Sequence, residues 1–136
     1  MLHEDRIQAR QEQFKLAVLK RNIEDINYLG KQNINPNHVF IVDEQIYSPL
    51  IYAITHDCVS MLKALLAIKR IRAQAVVNET TALEVAAERQ NKLMVALLLK
   101  SEHINYSQHE IDKAFSIAYK ANSPTIEIFW MITLCK

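Results

Sequence analysis

Five histidines, two cysteines and 15 acidic residues are the groups in this 136-residue chain whose types can do chemistry. A catalytic or metal site needs several of them to converge, and their spacing can be tested directly. His56 and Cys58 are two apart, so a helix would turn them to different faces. His103 and His109 are six apart, which is neither the i, i+4 pair of a helical zinc site nor a CxxC-type knuckle. Both read as surface histidines. Asp43-Glu44 and Glu102 are acids in predicted loops with no partner that spacing identifies, and read as solvated. A hydrolase site around His56 and Glu88 is the lowest-ranked reading. The chain has one glycine, Gly30, so a Gly-rich phosphate loop is excluded; Gly30 itself is expected near a helix end, where a glycine cap is common. No metal, no cofactor and no enzymatic activity are expected.

Lys69-Arg70-Ile71-Arg72 is the only dense basic run. Its place at the predicted end of a helix lets the cations complement the negative end of the helix dipole. No aromatic is interleaved and the net charge is +1, so neither nucleic acid nor an anionic membrane is the expected partner.

The elements that carry these residues follow from composition. A length of 136 residues suits one domain, and 50% hydrophobic with 23% charged residues is a globular balance. One Gly and three Pro are too few for a sandwich or barrel with many tight turns, so helices are favoured. The longest apolar runs, Leu93 to Leu99 and Ile128 to Ile132, are far short of the roughly 20 residues needed to cross a bilayer, and a soluble chain is expected. The start, Met1-Leu2-His3-Glu4-Asp5-Arg6, resembles neither a secretory signal nor a transit peptide. Cys58 and Cys135 show no CxxC pattern and read as buried small hydrophobes in a reducing compartment.

Shifting the chain by 33 residues lays Ser48-Pro49-Leu50 on Thr81-Ala82-Leu83, Ala53 on Ala86, Met61 on Met94, and Leu65-Leu66 on Leu98-Leu99. This spacing describes two short helices separated by a turn, each with one apolar stripe. The template extends outward at slightly different periods through Phe14 and Ala17 on one side and Phe115 and Ala118 on the other. In each copy an alanine precedes a large residue by 12: Ala17 to Leu29, Ala53 to Leu65, Ala86 to Leu98, Ala118 to Trp130. The joining stretches 33–47, 71–80 and 104–112 carry turn residues and are expected as loops or hairpin fingers rather than helices. Within the first, His38-Val39-Phe40-Ile41-Val42 is β-branched and apolar, suited to an extended hairpin packed on the first copy.

The period and the segments Ser48-Pro49-Leu50-Ile51-Tyr52-Ala53 and Thr81-Ala82-Leu83-Glu84-Val85-Ala86 resemble the ankyrin repeat, whose first helix opens Thr-Pro-Leu-His-x-Ala. Ala64-Leu65-Leu66 and Leu97-Leu98-Leu99 match its second-helix leucines. Ser48 and Thr81 can cap the first helices, and Pro49 suits a first helical position. The family's Gly between the helices is replaced by Arg21, Asp57, Gln90 and Asn122, so irregular turns are expected there. Its His is replaced by Lys15, Ile51, Glu84 and Ser116. A tetratricopeptide array, the rival reading, has shorter joining loops than residues 71–80 provide.

The resemblance implies an all-α, ankyrin-repeat-like solenoid of helix-turn-helix units joined by hairpin fingers. Residues 1–10 form an N-terminal helical extension or arm, and the repeats span about 11–47, 48–80, 81–112 and 113–136. It also implies a non-catalytic module that binds another protein through a concave face. The positions that would carry binding are Asp43, Glu44, Tyr47, Thr55 and His56, then Thr80, Glu88 and Arg89, then His109, Asp112 and Lys120. Tyr47 is the best single anchor, since an amphipathic aromatic gives large contact area at low entropic cost. The apolar last segment, Ile126 to Cys135, lacks the polar outer face of a terminal repeat. It is expected to dock a further domain or a second copy, or to mark the chain as part of a longer protein. The alternative function is a regulatory or substrate-recruiting domain of a longer enzyme. Richness in Ile, Asn and Lys suggests an AT-rich genome, and the expected location is the cytoplasm, or the host cytosol for a delivered bacterial effector.

Overall fold

A computed structural model describes residues 3–72, 77, 80–101 and 106–120. Two compact units divide the chain, Met1–Arg72 and Ala73–Lys136. In the first, helices α1 (His3–Lys20) and α2 (Ile23–Gly30) precede strands β1 (Phe40–Val42) and β2 (Gln45–Tyr47), then helices α3 (Pro49–Thr55) and α4 (Val59–Leu66). The second contains α5 (Ala82–Glu88), α6 (Lys92–Leu99) and α7 (Gln108–Lys120). Among the described residues no helix is long and apolar enough to cross a membrane.

The expected all-α solenoid is corrected on this evidence. The chain is mainly helical, but β1 and β2 form an antiparallel sheet with Phe40 opposite Tyr47, Ile41 opposite Ile46 and Val42 opposite Gln45. Apolar and aromatic residues with strand preference flank a two-residue turn, Asp43-Glu44, in which both φ angles are positive (50° and 67°). That is the mark of the type I′ turn, whose twist matches a hairpin. A continuous repeat solenoid is not established either, since the chain falls into two units.

Three helix-helix turns nevertheless share one backbone device. Arg21, Asp57 and Gln90 have φ of 57°, 54° and 59°. Each follows a first helix whose alanine carbonyl accepts a bond from the residue five later: Asn22 N–H to Ala17 O at 2.9 Å, Cys58 to Ala53 at 2.9 Å, Asn91 to Ala86 at 3.2 Å. The left-handed residue itself donates to the next carbonyl, Val18, Ile54 or Ala87. This is the Schellman closure of a helix end. Three of the four turns expected to be irregular are therefore alike, because two backbone bonds hold the left-handed residue without a glycine; the fourth, at Asn122, lies outside the described residues. The same residue then starts the next helix: Asn22 caps α2 by accepting from Asp25 N–H, and Asn91 caps α6 by accepting from Met94 N–H, whereas Cys58 caps α4 with no side-chain bond.

First helices begin as their sequence predicts. Ser48 accepts from Ile51 N–H with Pro49 following, and Thr81 accepts from Glu84 N–H. Glu84 takes a bond from the Thr81 hydroxyl at 3.3 Å and pairs with Lys113 of α7 at 3.6 Å, so this buried carboxylate is partnered. In the first unit α1 packs on α2 and α3, and α4 on α2 and α3; in the second, α5 packs on α6 and α7. The alanine and leucine positions that recur are interior: Ala17, Leu29, Ala53, Leu65, Ala86, Leu98 and Ala118 are all buried. Trp130, the partner of Ala118 in the pattern, lies outside the described residues.

Paired amide clamps fix the segment between α2 and β1. The Gln11 side chain donates to Asn35 O at 2.9 Å and accepts from Asn35 N–H at 2.8 Å. Asn37 in turn donates to Arg70 O at 2.9 Å and accepts from Arg72 N–H at 2.7 Å. Gly30 is the last residue of α2, as expected, but its φ is not positive and Lys31 is the cap. Its glycine is required by close approach, because a Cβ would lie 2.7 Å from Ile68 Cγ1.

Candidate functional site

β1, β2 and α3 bring four rings together. Phe40 and Tyr47 face each other across the hairpin, so alternation puts both on the side of the sheet towards α3, with ring centroids 6.2 Å apart. Tyr52, buried on α3, meets Phe40 at 5.6 Å and the edge of Tyr47 at 5.3 Å. His56 closes α3 and stacks on Tyr52 at 4.1 Å, 6.1 Å from Tyr47. Tilted and edge-to-face contacts of this kind are worth about 0.5–1.5 kcal/mol each beyond burial.

The His56 ring is also held by a hydrogen bond, Nδ1 to Tyr52 O at 3.0 Å. A carbonyl oxygen only accepts, so Nδ1 carries the proton and neutral His56 has Nε2 as its acceptor. Tyr47 and His56 are half-buried and form the outer members of the cluster, while Phe40 and Tyr52 support them from inside. On the opposite face of the hairpin Ile41 and Ile46 are exposed, and they line a groove of about 430 Å³ against Gln11 and Lys15 of α1.

Of the residues singled out in the sequence, the structure gathers Tyr47 and His56, with Thr55 adjacent at the end of α3. Asp43 and Glu44 are exposed at the hairpin tip, and their left-handed backbone gives them a structural duty as turn residues. Thr80, Glu88, Arg89, His109, Asp112 and Lys120 belong to the second unit. Thr80 exchanges backbone bonds with Val77 at 2.9 and 3.0 Å; Glu88 ends α5 and Arg89 caps it.

His109 and Asp112 were expected in a finger, and the structure corrects this by placing both inside α7. The reason is a capping box. Ser107 accepts from Glu110 N–H at 3.2 Å, and Glu110 accepts from Ser107 N–H at 3.2 Å, starting the helix five residues early. Asp112 takes a bond from Gln108 at 2.9 Å, and Lys120 is exposed at the helix end. The basic run also differs from expectation. α4 ends at Leu66, before Lys69, and Arg70 donates to Gln32 O at 2.6 Å in a neighbouring loop instead of meeting the carbonyls of its own helix. His103, Glu102, Cys135 and the segment 126–136 lie outside the described residues.

Phe40 and Tyr52 were missed as members of the site. The Tyr52-x-x-x-His56 spacing is the i, i+4 pairing of one helix face and carried the signal. Among the described residues no group of three or more His, Cys, Asp or Glu side chains could hold a metal ion. No family model matches the chain, and neither a curated protein nor a solved structure matches it.

Proposed function

We propose that the chain is a non-catalytic protein-binding module built from ankyrin-type helix pairs, and that its first unit engages a partner across the hairpin and the end of α3. The observation that carries this reading is Tyr47, a half-buried aromatic braced by Phe40, Tyr52 and His56. An amphipathic ring locked before binding gives contact area without losing rotamer freedom, as recognition hot spots do. Nε2 of His56 offers an acceptor beside it, and the Asp43-Glu44 tip supplies negative charge within the same hairpin. The resemblance of residues 48–53 and 81–86 to the ankyrin opening motif supports the same reading. The proposal places the protein in a reducing cytosol, where Cys58 stays a thiol.

Affinity capture with the wild-type chain and with a Tyr47→Ala, His56→Ala variant tests it. The double variant is expected to lose specific partners while keeping its helical circular dichroism. Retention of the same partners by a folded variant refutes the surface assignment.

A further inference from the structure

A second concave surface lies away from the ring cluster, where the ends of α2 and α4 meet. It encloses about 600 Å³ and is lined by Gly30 of α2 and its cap Lys31, by Ala64 of α4 and its cap Ala67, and by Ile68, Lys69 and Arg70 beyond it. Its floor is formed by Ala64, Ala67 and the Ile68 side chain, which packs against Gly30, and its rim carries three exposed cations. Among the described residues no carboxylate lines it. The chain as a whole carries a formal charge of only +1, so this is a local concentration of positive charge.

Arg70 is held in place twice. Its guanidinium donates to Gln32 O at 2.6 Å, and its carbonyl accepts from Asn37 at 2.9 Å. A guanidinium has five N–H donors in a rigid fork, so fixing it through one bond leaves a pre-oriented carboxylate receptor at the rim. The carbonyl ends of α2 and α4 oppose an anion here, each with about half a negative charge. Three full cations exceed that sum.

We infer that this groove docks an acidic helical segment of a partner protein, with carboxylates at i, i+4 spacing meeting Lys31, Lys69 and Arg70 and the helix backbone approaching over Ala64 and Ala67. Small residues on the floor let a helix approach closely, and charge complementarity fixes its register. Among the described residues no aromatic side chain lines the groove for a base to stack on. The exposed aliphatic side chains that would enter a bilayer, Val39, Ile41 and Ile46 among them, are on other elements, and of the exposed large hydrophobics among the described residues only Tyr28 shares α2 with the groove. An acidic polypeptide is therefore favoured over nucleic acid or membrane. The inference concerns a different surface from the ring cluster, so either can fail without the other.

The test is fluorescence anisotropy of a labelled 16-residue Glu/Ala helical peptide, with a Lys/Ala peptide as its opposite-charge counterpart. The full chain is expected to bind the Glu peptide at least tenfold more tightly than the Lys peptide, with affinity falling as salt rises. Lys31→Glu, Lys69→Glu together should weaken binding about tenfold, while Lys100→Glu, a charge reversal on the second unit, should change it less than twofold. Ala67→Leu, which fills the exposed floor without altering charge, should weaken binding about fivefold. Four results overturn the inference: no preference for the Glu peptide, equal loss in Lys100→Glu, indifference to Ala67→Leu, or tighter binding of phosphatidylserine vesicles or an RNA oligomer than of the peptide.

Discussion

Replacing Gln90 by glycine should make the protein more stable, although Gln90 is exposed and glycine ordinarily weakens a chain. Its φ of 59° lies in the left-handed region, where an L-residue is disfavoured by about 1–2 kcal/mol. Glycine escapes that strain but loses about 0.5–1 kcal/mol in extra unfolded-state freedom. The difference is a net gain of about 0.5–1 kcal/mol. Both backbone bonds of the turn, Gln90 N–H to Ala87 O and Asn91 N–H to Ala86 O, survive the change. Arg21→Gly should behave alike, and Asp57→Gly should gain less, because aspartate tolerates this conformation better. The three turns share no hydrogen-bond partner, so the gains should add to about 1–2.5 kcal/mol. For a chain of this size 1 kcal/mol corresponds to about 3–4 °C in Tm, so thermal and urea unfolding by circular dichroism resolve each step. Gln90→Val supplies the reverse perturbation and should cost more than about 1 kcal/mol, since a β-branched residue is worst placed there. A destabilising Gln90→Gly, or a neutral Gln90→Val, would refute the shared left-handed closure of the helix pairs.

Helix caps give a second set of expectations: Ser48→Ala, Thr81→Ala and Ser107→Ala should each cost about 1 kcal/mol, whereas Cys58→Asn, which supplies the cap bond that α4 lacks, should add a similar amount, read from urea midpoints at unchanged slope. Asn37→Ala removes two side-chain bonds to backbone and should cost about 1–3 kcal/mol, with hydrogen exchange of the Arg72 amide accelerating well beyond that of the helical amides. Gly30→Ala should destabilise by about 1–3 kcal/mol and lose most of that penalty in an Ile68→Ala background, a coupling that a double-mutant cycle measures. The Tyr106 hydroxyl is buried without a hydrogen-bond partner among the described residues, and burial, then the nearby Glu110 charge, raise its pKa far above 10. Above pH 10 the unfolded chain releases this proton while the folded chain keeps it, so stability falls as pH rises. Tyr106→Phe should remove that part of the alkaline loss and stabilise by about 1 kcal/mol at pH 7, checked by denaturation at both pH values.

Helix pairs were legible because their signals are local and redundant. An alanine followed 12 residues later by a leucine, with Ser or Thr at the start, defines two amphipathic helices before any tertiary contact is known. The turns between them were placed correctly but misjudged in geometry. Reading Arg21 and Gln90 as poor substitutes for glycine considers only the intrinsic cost of one residue, whereas two backbone bonds and the following cap determine the outcome. The geometry of the hairpin tip was hidden for the opposite reason. Asp43-Glu44 lacks the Asn-Gly or Asp-Gly signature of a type I′ turn, so nothing in the sequence marks the left-handed backbone that the sheet requires there. The start of α7 was missed although Ser107-x-x-Glu110 is a capping box, because the preceding Asn105-Tyr106 suggested a loop that continues.

These local devices also decide how rigid the ring cluster is before anything binds. Asp57 closes α3 in the left-handed conformation, which leaves His56 as its cap, one turn above Tyr52. From that position the imidazole reaches both the face of the Tyr52 ring and the Tyr52 carbonyl. The I′ turn at Asp43-Glu44 sets the register that places Tyr47 opposite Phe40, so the second side of the cluster follows from the hairpin alone. Two turns, 14 residues apart in sequence, thus aim one tyrosine and one histidine at the same surface without help from a ligand. Because rotamer freedom is already lost in folding, the ordering cost of about 0.5–1.5 kcal/mol per side chain does not fall on association. A partner contacting Tyr47 and His56 would therefore meet a preformed surface.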